Sequence, residues 1–162
     1  MPLSGYVKIE DIKGESKRAD HTDEIDVHSI KWSVAQQSSA NIGSGRSRGR
    51  AQVSDITVRK FSDAASPYLA LAVMKAKSIP EIVIMARKDS GDAHLDYLKI
   101  TLTNAAVSGF QMLENEASDP EQMIEEEVSF TAEKVKMVYT VQADDHSAGD
   151  EHEIEYDLVA GA

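Results

Sequence analysis

The sequence predicts a mostly β protein, a compact β-barrel or sandwich of about eight or nine strands with one flanking α-helix. Apolar and polar residues alternate along much of the chain, as in Ile30, Trp32 and Val34, and this period of two is typical of strands with one buried face. Turn-forming residues separate these segments, and only one segment carries helix start signals. The 162 residues include no cysteine, so packing alone must hold the fold, and residues 1–162 are interpreted as a single domain.

Strand-like segments recur along the whole sequence. Between Val27 and Ile30 the alternation changes phase, which predicts a β-bulge and a bent strand of the kind that barrels need. In the final segment Ile154, Tyr156 and Leu158 are predicted to point inward, and the acids between them to point toward solvent. The strand-like segments span residues 6–9, 24–34, 53–61, 82–85, 95–102, 106–112, 128–130, 135–141 and 151–158.

The one predicted helix spans residues 67–77. Ser66 is predicted to cap it, and Pro67 suits the first turn because its missing N–H is not needed there. Lys75 and Lys77 would interact favourably with the negative, C-terminal end of the helix dipole. Apolar side chains cover most of the circumference, so the helix is predicted to pack against a sheet or a barrel end.

The charge of the chain argues against two classes of function. Seventeen Lys and Arg stand against 28 Asp and Glu, a formal net charge of −11, which repels nucleic acids and anionic membranes.

The longest apolar stretch, residues 68–74, is too short to cross a bilayer. Residues 1–5 lack the basic and apolar regions of a signal peptide. The sequence therefore predicts no nucleic-acid partner, no membrane insertion and no conventional signal peptide.

Residues 36–50 form a long polar loop that contains Gly45, Arg46, Arg48 and Arg50. The loop lacks the Gly-Lys-Ser/Thr sequence of a phosphate-binding loop, and a strand rather than a helix follows it. Two interpretations remain open from the residues alone. The loop is either a flexible solvated segment, or an arm whose arginines dock on the acids of a neighbouring subunit.

No convincing catalytic or metal constellation is found, and no cofactor is predicted. His21, Asp23, Glu24 and His28 are ligand types, but they lack the spacings of known metal motifs, so they are interpreted as a strand start with surface histidines. The acids and histidines of residues 144–152 are interpreted as a solvated hairpin tip. One alternative is a small metal-dependent β-barrel enzyme that uses His21, Asp23, Glu24 or His28. Another is a monomeric carbohydrate-binding sandwich, which the mostly inward phase of the aromatic residues disfavours.

Taken in order, several segments resemble the haemolysin-coregulated protein family, whose members form the tube of the bacterial type VI secretion system. The resemblance covers nearly the whole chain and is looser after Glu114. It depends on the order and spacing of the segments rather than on any one of them. The segments are residues 6–9, 11–16, His21 with 24–27, 32–33, the Gly/Arg loop before 55–58, Lys60 with 63–67 and Leu69, 86–88, and 97–100.

The resemblance implies a structural tube subunit and not an enzyme. It implies a homohexameric ring, stacking of rings into a tube with a spike protein at its tip and a contractile sheath around it, and effector proteins bound in the lumen and exported with the tube. It implies that Gly45, Arg46, Arg48 and Arg50 belong to a ring-stacking loop, and that Lys31 and Ser33 face the lumen. It also implies assembly in the bacterial cytoplasm and secretion without a signal peptide. Because the sequence ends at Ala162, no appended toxin domain is expected.

Overall fold

The computed structural model describes residues 3–36, 51–90, 93–113 and 123–162. These residues form a mostly β fold with one α-helix, α1, Ser66–Met74, and a short 3-10 helix, Ala19–His21. The strands are β1 Ser4–Ile9, β2 Ile25–Val27, β3 Ser29–Lys31, β4 Val34–Ala35, β5 Gln52–Val53, β6 Ile56–Phe61, β7 Ile79–Ser90, β8 Ala93–Leu113, β9 Glu125–Gln142 and β10 Ala148–Asp157.

The main sheet curls into a nearly closed antiparallel barrel. Its strand order is β2-β1-β7-β8-β9-β6-β3, and β10 pairs with β9 as a branch. The end strands β2 and β3 are consecutive in sequence, so a single residue between them, His28, closes the circuit. The His28 N–H donates to the Arg59 carbonyl at 2.9 Å. The predicted phase shift between Val27 and Ile30 is thus the point where the chain leaves β1 and begins to pair with β6.

Alternating apolar side chains from the barrel strands fill the core. Val7 and Val128 are fully buried, and Phe130 is 1% exposed. Leu69 and Ala72 of α1 complete this cluster from outside the sheet, so the flanking helix predicted from sequence packs on the barrel. The core position of a side chain follows from its phase along the strand.

The helix differs from its predicted bounds at both ends. It begins at Ser66 and ends at Met74, rather than spanning 67–77. Ser66 is not the cap, because Ala65 occupies that position and the Ser66 hydroxyl is used elsewhere. Lys75 is the residue after the last turn and Lys77 lies beyond it. Neither lysine therefore lies within the last helical turn; Lys75 adjoins it as the C-cap, and Lys77 is placed farther from the region where the dipole effect is strongest.

A buried ionic network joins the helix to the barrel. Lys60 Nζ lies 2.7 Å from Glu126 Oε1 and 2.9 Å from Asp63 Oδ1, and both Lys60 and Glu126 are 0% exposed. Ser66 donates to Glu126 Oε1 and Ser62 donates to Glu126 Oε2, each at 2.7 Å. Lys60 and Glu126 are directly paired across β6 and β9. A buried charge pair is tolerable only when its hydrogen-bonding groups are satisfied in this way.

The connection from β1 to β2 packs tightly against the chain that follows it. The Gly14 N–H donates to the Asp23 carbonyl at 2.9 Å. A Cβ at Gly14 would lie 2.5 Å from the Glu24 carbonyl oxygen, so this glycine is required by close backbone contact.

Several predicted strands are longer than their sequence signals. The segments 95–102 and 106–112 belong to one 21-residue strand, β8, and the segments 128–130 and 135–141 belong to one 18-residue strand, β9. The register between β8 and β9 shifts between Val107 and Gly109. Such an irregularity keeps a long strand paired while bending it. The gaps between the predicted segments, residues 103–105 and 131–134, lie elsewhere, in a part of the two strands that is paired in regular register.

Candidate functional site: the assembly surfaces

Strand β10 carries apolar side chains that the described chain leaves uncovered. The first half of β9 pairs with β6 and the second half pairs with β10. Ile154 lies opposite Met137, and Tyr156 lies opposite Val135. Val135 is buried, whereas Ile154 is 58% exposed. The side of β9 that faces the core therefore continues onto β10, where no described residue covers it.

We call this surface the open apolar face; its members are Tyr139, Val141, Ile154 and Tyr156. All four are exposed large hydrophobic residues. The alternation correctly predicted that Ile154 and Tyr156 lie on one side of the strand and the acids between them on the other. The prediction that Ile154 and Tyr156 point into the core was wrong. The barrel closes through β6, so β10 branches away from it. The prediction that the aromatic residues are mostly inward also fails at Phe61 and Tyr68.

Tyrosine rings at one end of the open apolar face meet edge to face. The Tyr97 and Tyr139 ring centroids are 6.1 Å apart at 74°, and Lys88 Nζ lies 4.7 Å from the Tyr97 centroid. Edge-to-face pairs and cation–π contacts fix ring orientation. A sugar-binding platform would present coplanar rings to solvent. The Tyr97 and Tyr139 rings, at 74° to each other, do not form such a flat platform.

The other side of β9 and β10 carries cross-strand ion pairs. Lys136 Nζ lies 3.0 Å from Glu153 Oε1, and Lys134 pairs with Glu155. The hydrogen bond to Glu155 raises the pKa of Lys134, and the same bond lowers the pKa of Glu155. Opposite charges across adjacent strands favour this pairing register. Backbone pairing of β10 with β9 places Ile154 on the side opposite these ion pairs.

The predicted ring-stacking residues Gly45, Arg46, Arg48 and Arg50 lie outside the described residues. The strands before and after that segment are described. Strands β4 and β5 pair with each other, Val34 with Val53, as a separate two-stranded ribbon. Val34 is 55% exposed.

The two predicted lumen residues lie on the outside of the barrel. Lys31 is exposed at the end of β3, opposite Thr57, and Ser33 is exposed just beyond β3. Trp32 between them packs against the core. The Ser33 N–H donates to Ser54 Oγ at 2.9 Å, and the Ser54 N–H returns a bond of the same length to the Ser33 carbonyl. Backbone pairing thus fixes the outward direction of both predicted residues.

His21 is not the surface histidine that the sequence suggested. It is 3% exposed and stacks on Tyr6 with ring centroids 4.1 Å apart. Its Nδ1 contacts Glu24, and its Nε2 lies 3.0 Å from Asp96 Oδ1. Asp96 belongs to β8, so His21 ties the 3-10 helix to the barrel wall. Burial raises the pKa of the neighbouring Tyr6 hydroxyl.

Of the other residues in the alternative ligand set, Glu24 contacts His21, but His28 does not join this pair. His28 instead contacts Glu125 Oε1 at 2.8 Å and stacks on Phe61. Within residues 3–36, 51–90, 93–113 and 123–162, no group of three or more His, Asp or Glu side chains is arranged to hold a metal ion. The geometry of the described residues therefore does not assemble the metal site of the alternative enzyme hypothesis.

The described residues define a nearly closed β-barrel protein with an exposed apolar patch on β9 and β10, a feature that usually marks a contact site. The chain belongs to the haemolysin-coregulated protein (Hcp) family of type VI secretion system tube proteins. The family model for the type VI secretion system effector Hcp matches residues 6–139. It is 32% identical to protein hcp1 of Pseudomonas aeruginosa over 145 residues, which cover 90% of this chain and 88% of the relative.

Solved structures agree with this assignment. Hcp1 from Salmonella typhimurium is 31% identical, with a TM-score of 0.78 over 99% of this chain and 97% of that one. A type VI secretion system effector from Yersinia pestis is 29% identical, with a TM-score of 0.73 over 94% and 98%. A type six secretion system protein with a TM-score of 0.89 over 99% and 98% is 23% identical, and shows the shared fold.

Membership of this family has direct consequences for function. Hcp proteins are secreted tube proteins, so the family implies a structural role and self-association in tube assembly. Of the helices that the structure describes, none is long and apolar enough to span a membrane.

Proposed function

We propose that this chain is the repeating subunit of a type VI secretion tube. Residues 1–162 act as a single domain that assembles into a hexameric ring, and the rings stack into the tube. Effector proteins bind in the lumen and leave with the tube, which carries a spike protein at its tip and a contractile sheath around it. Assembly takes place in the bacterial cytoplasm, and export needs no signal peptide.

The observation that carries this proposal is the open apolar face. Soluble monomers rarely leave a contiguous patch of large apolar side chains in water, and such patches usually mark contact sites. Tyr139 and Tyr156 are 40% and 39% exposed beside the more exposed Ile154. A strand edge that is open to solvent also invites uncontrolled pairing. A closed ring removes both liabilities, because each copy is covered by the next.

The proposal assigns separate roles to two other surfaces. The loop with Gly45, Arg46, Arg48 and Arg50 contacts the adjacent ring, which its place in the sequence between the paired strands β4 and β5 supports. Lys31 and Ser33 face the lumen, which their outward direction on the barrel supports. A tube needs one contact to close the ring and a different, open-ended contact to propagate the stack. Arginines that dock on an acidic ring would make that second contact sensitive to salt.

Replacing Arg46, Arg48 and Arg50 together with alanine tests the stacking role. We expect the variant to form rings but few or short tubes, because it lacks the charges that attract the acidic neighbour. Electron microscopy of wild-type and variant protein at equal concentration measures tube length, and a salt titration of wild-type tubes should reproduce the loss. A matched variant with Lys8, Lys13 and Lys17 replaced by alanine removes the same charge elsewhere. Tubes of unchanged length in the arginine variant would contradict the stacking role.

A further inference from the structure

The buried imidazole of His21 lies between two carboxylates. Its Nδ1 contacts Glu24, and its Nε2 lies 3.0 Å from Asp96 Oδ1 of β8. A carboxylate only accepts hydrogen bonds, and a neutral imidazole carries a single N–H. Neutral His21 would therefore donate to one carboxylate and turn a lone pair toward the other. Both contacts are favourable together only when these three side chains, which we call the His21 latch, hold one additional proton.

The His21 latch fastens the connection between β1 and β2, residues 10–24, to the wall of the barrel. The backbone of this connection is bonded to itself. The Gly14 N–H donates to the Asp23 carbonyl at 2.9 Å, and the Ser16 N–H donates to the Glu24 carbonyl at 3.0 Å. These bonds lie within the connection, so they need not break when it moves away from the barrel wall.

Two further ionic contacts join the connection to β7. Arg18 Nη2 lies 3.9 Å from Asp89 Oδ2, and Arg87 Nη2 lies 3.9 Å from Asp20 Oδ2. The side chains of Arg18 and Asp20 are largely exposed, and water screens such pairs strongly. Asp89 is also shared with Arg87 and His94. The buried His21 latch is therefore the stronger ionic attachment of the connection.

The closed connection covers an apolar patch on the outer side of the barrel wall. His21 stacks on Tyr6 with ring centroids 4.1 Å apart. Tyr6 forms a small buried cluster with Val83 and Met85, in the opposite strand phase to Val7 of the core. Movement of the connection away from the wall would therefore uncover apolar surface that the closed fold buries.

We propose that the His21 latch is a proton-dependent switch, which holds the β1–β2 connection closed while the additional proton is bound and releases it when rising pH removes that proton. A free histidine is half-protonated at about pH 6.5. Below that pH the open connection also carries the proton, so closing does not depend on the charge of His21. Above it the closed form holds one more proton than the open form. Each further pH unit then shifts the equilibrium toward the open form by up to about tenfold. This inference goes beyond the proposed function, because it does not depend on assembly.

Hydrogen exchange measured by mass spectrometry tests the switch on the wild-type protein between about pH 6 and about pH 9. Exchange rates in peptides from residues 14–24 are divided by the intrinsic rates at each pH, and peptides from β6 serve as the reference. We expect the protection of residues 14–24 to fall by about tenfold or more over this range relative to β6.

Asp96→Asn separates the proton from the contact. An asparagine amide can donate to Nε2 of a neutral imidazole, whose Nδ1–H still donates to Glu24, so the latch closes without the additional proton. Asp96 is 37% exposed, so the barrel accepts the change. Protection of residues 14–24 should stay high in this variant and no longer depend on pH.

His94→Gln is the matched control, because His94 is the other histidine near the connection and its Nδ1 lies 2.5 Å from Asp89 Oδ1. This variant should keep the pH dependence of the wild type. The inference is overturned if wild-type protection of residues 14–24 parallels that of β6 at every pH. It is also overturned if Asp96→Asn keeps the wild-type pH dependence or leaves the connection open throughout. Loss of the dependence in His94→Gln would assign it to the wrong histidine and overturn the inference as well.

Discussion

Replacing Glu126 with alanine is expected to destabilise the subunit by about 3–5 kcal/mol, because it leaves the Lys60 ammonium buried without its main partner. Lys60 has no access to solvent, and its Nζ is held by Glu126, Asp63 and Ser66. The same change removes the acceptor of the Ser66 and Ser62 hydroxyls. Chemical denaturation measures the loss. Protein concentrations must be equal, since assembly adds to apparent stability.

The double variant Lys60→Met with Glu126→Leu is the control for this prediction. It removes both charges and keeps apolar volume, so it should be clearly more stable than Glu126→Ala. A loss below about 0.5 kcal/mol for Glu126→Ala, the range of ordinary surface changes, would contradict the account.

The same network predicts a dependence of stability on pH. Burial by itself raises the pKa of Glu126, but the hydrogen bonds from Lys60, Ser66 and Ser62 outweigh it and hold this pKa below its usual 4.5. A carboxyl with a lowered pKa in the folded state contributes stability above its unfolded pKa and loses it as the pH falls through the folded value. The subunit should therefore lose stability below about pH 4.5, and Glu126→Gln should lack this part of the loss.

Replacing Ile154 with aspartate is expected to break the proposed ring while the subunit stays folded. Ile154 is 58% exposed, so a polar side chain costs the isolated barrel little. In the ring it would place an unpaired charge in an apolar contact. Truncation at the centre of an interface costs about 2 kcal/mol or more, roughly 30-fold in the dissociation constant. Native mass spectrometry across a dilution series should show monomers where the wild type is assembled.

Val159→Asp is the matched control for Ile154→Asp. Val159 is 64% exposed and lies just beyond β10, outside the open apolar face. It introduces the same charge into the same acidic part of the chain, and should leave rings intact. If the two variants assembled equally well, the open apolar face would not be the ring contact.

Periodicity and turn chemistry predict most of this barrel. The phase change between Val27 and Ile30 indicated an irregularity, and the structure shows why it is there: the chain changes partner at His28 to close the barrel. Pro67 marked the helix within a residue of its start. These features are local, so local sequence is sufficient to indicate them.

The buried charges could not be predicted from residue type. Lys60 follows Ile56 and Val58 in the inward phase of β6, and Glu126 precedes Val128 and Phe130 in the inward phase of β9. The alternation of each strand indicated that these two side chains point inward. A lysine or glutamate at a strand end is normally solvated, however, so residue type indicated the opposite. Their pairing depends on register between strands more than 60 residues apart, given by the Lys60–Glu126 match, which sequence alone does not fix.

The candidate site shows a related limit. Alternation correctly placed Ile154 and Tyr156 on one side of the strand, but a phase cannot tell whether that side faces a core or a second molecule. Only the branching of β10 from β9 makes the difference. The burial of His21 was not predicted, because its partner Asp96 is 75 residues away in the sequence. The stacking arginines and Lys31 remain predictions that depend on the family resemblance.

Native mass of the purified wild-type protein tests the central claim most directly. The account predicts a particle of six subunits of 17.7 kDa, with annular particles by electron microscopy of the same sample. A wild-type particle with the mass of one subunit, equal to that of Ile154→Asp at the same concentration, would contradict it.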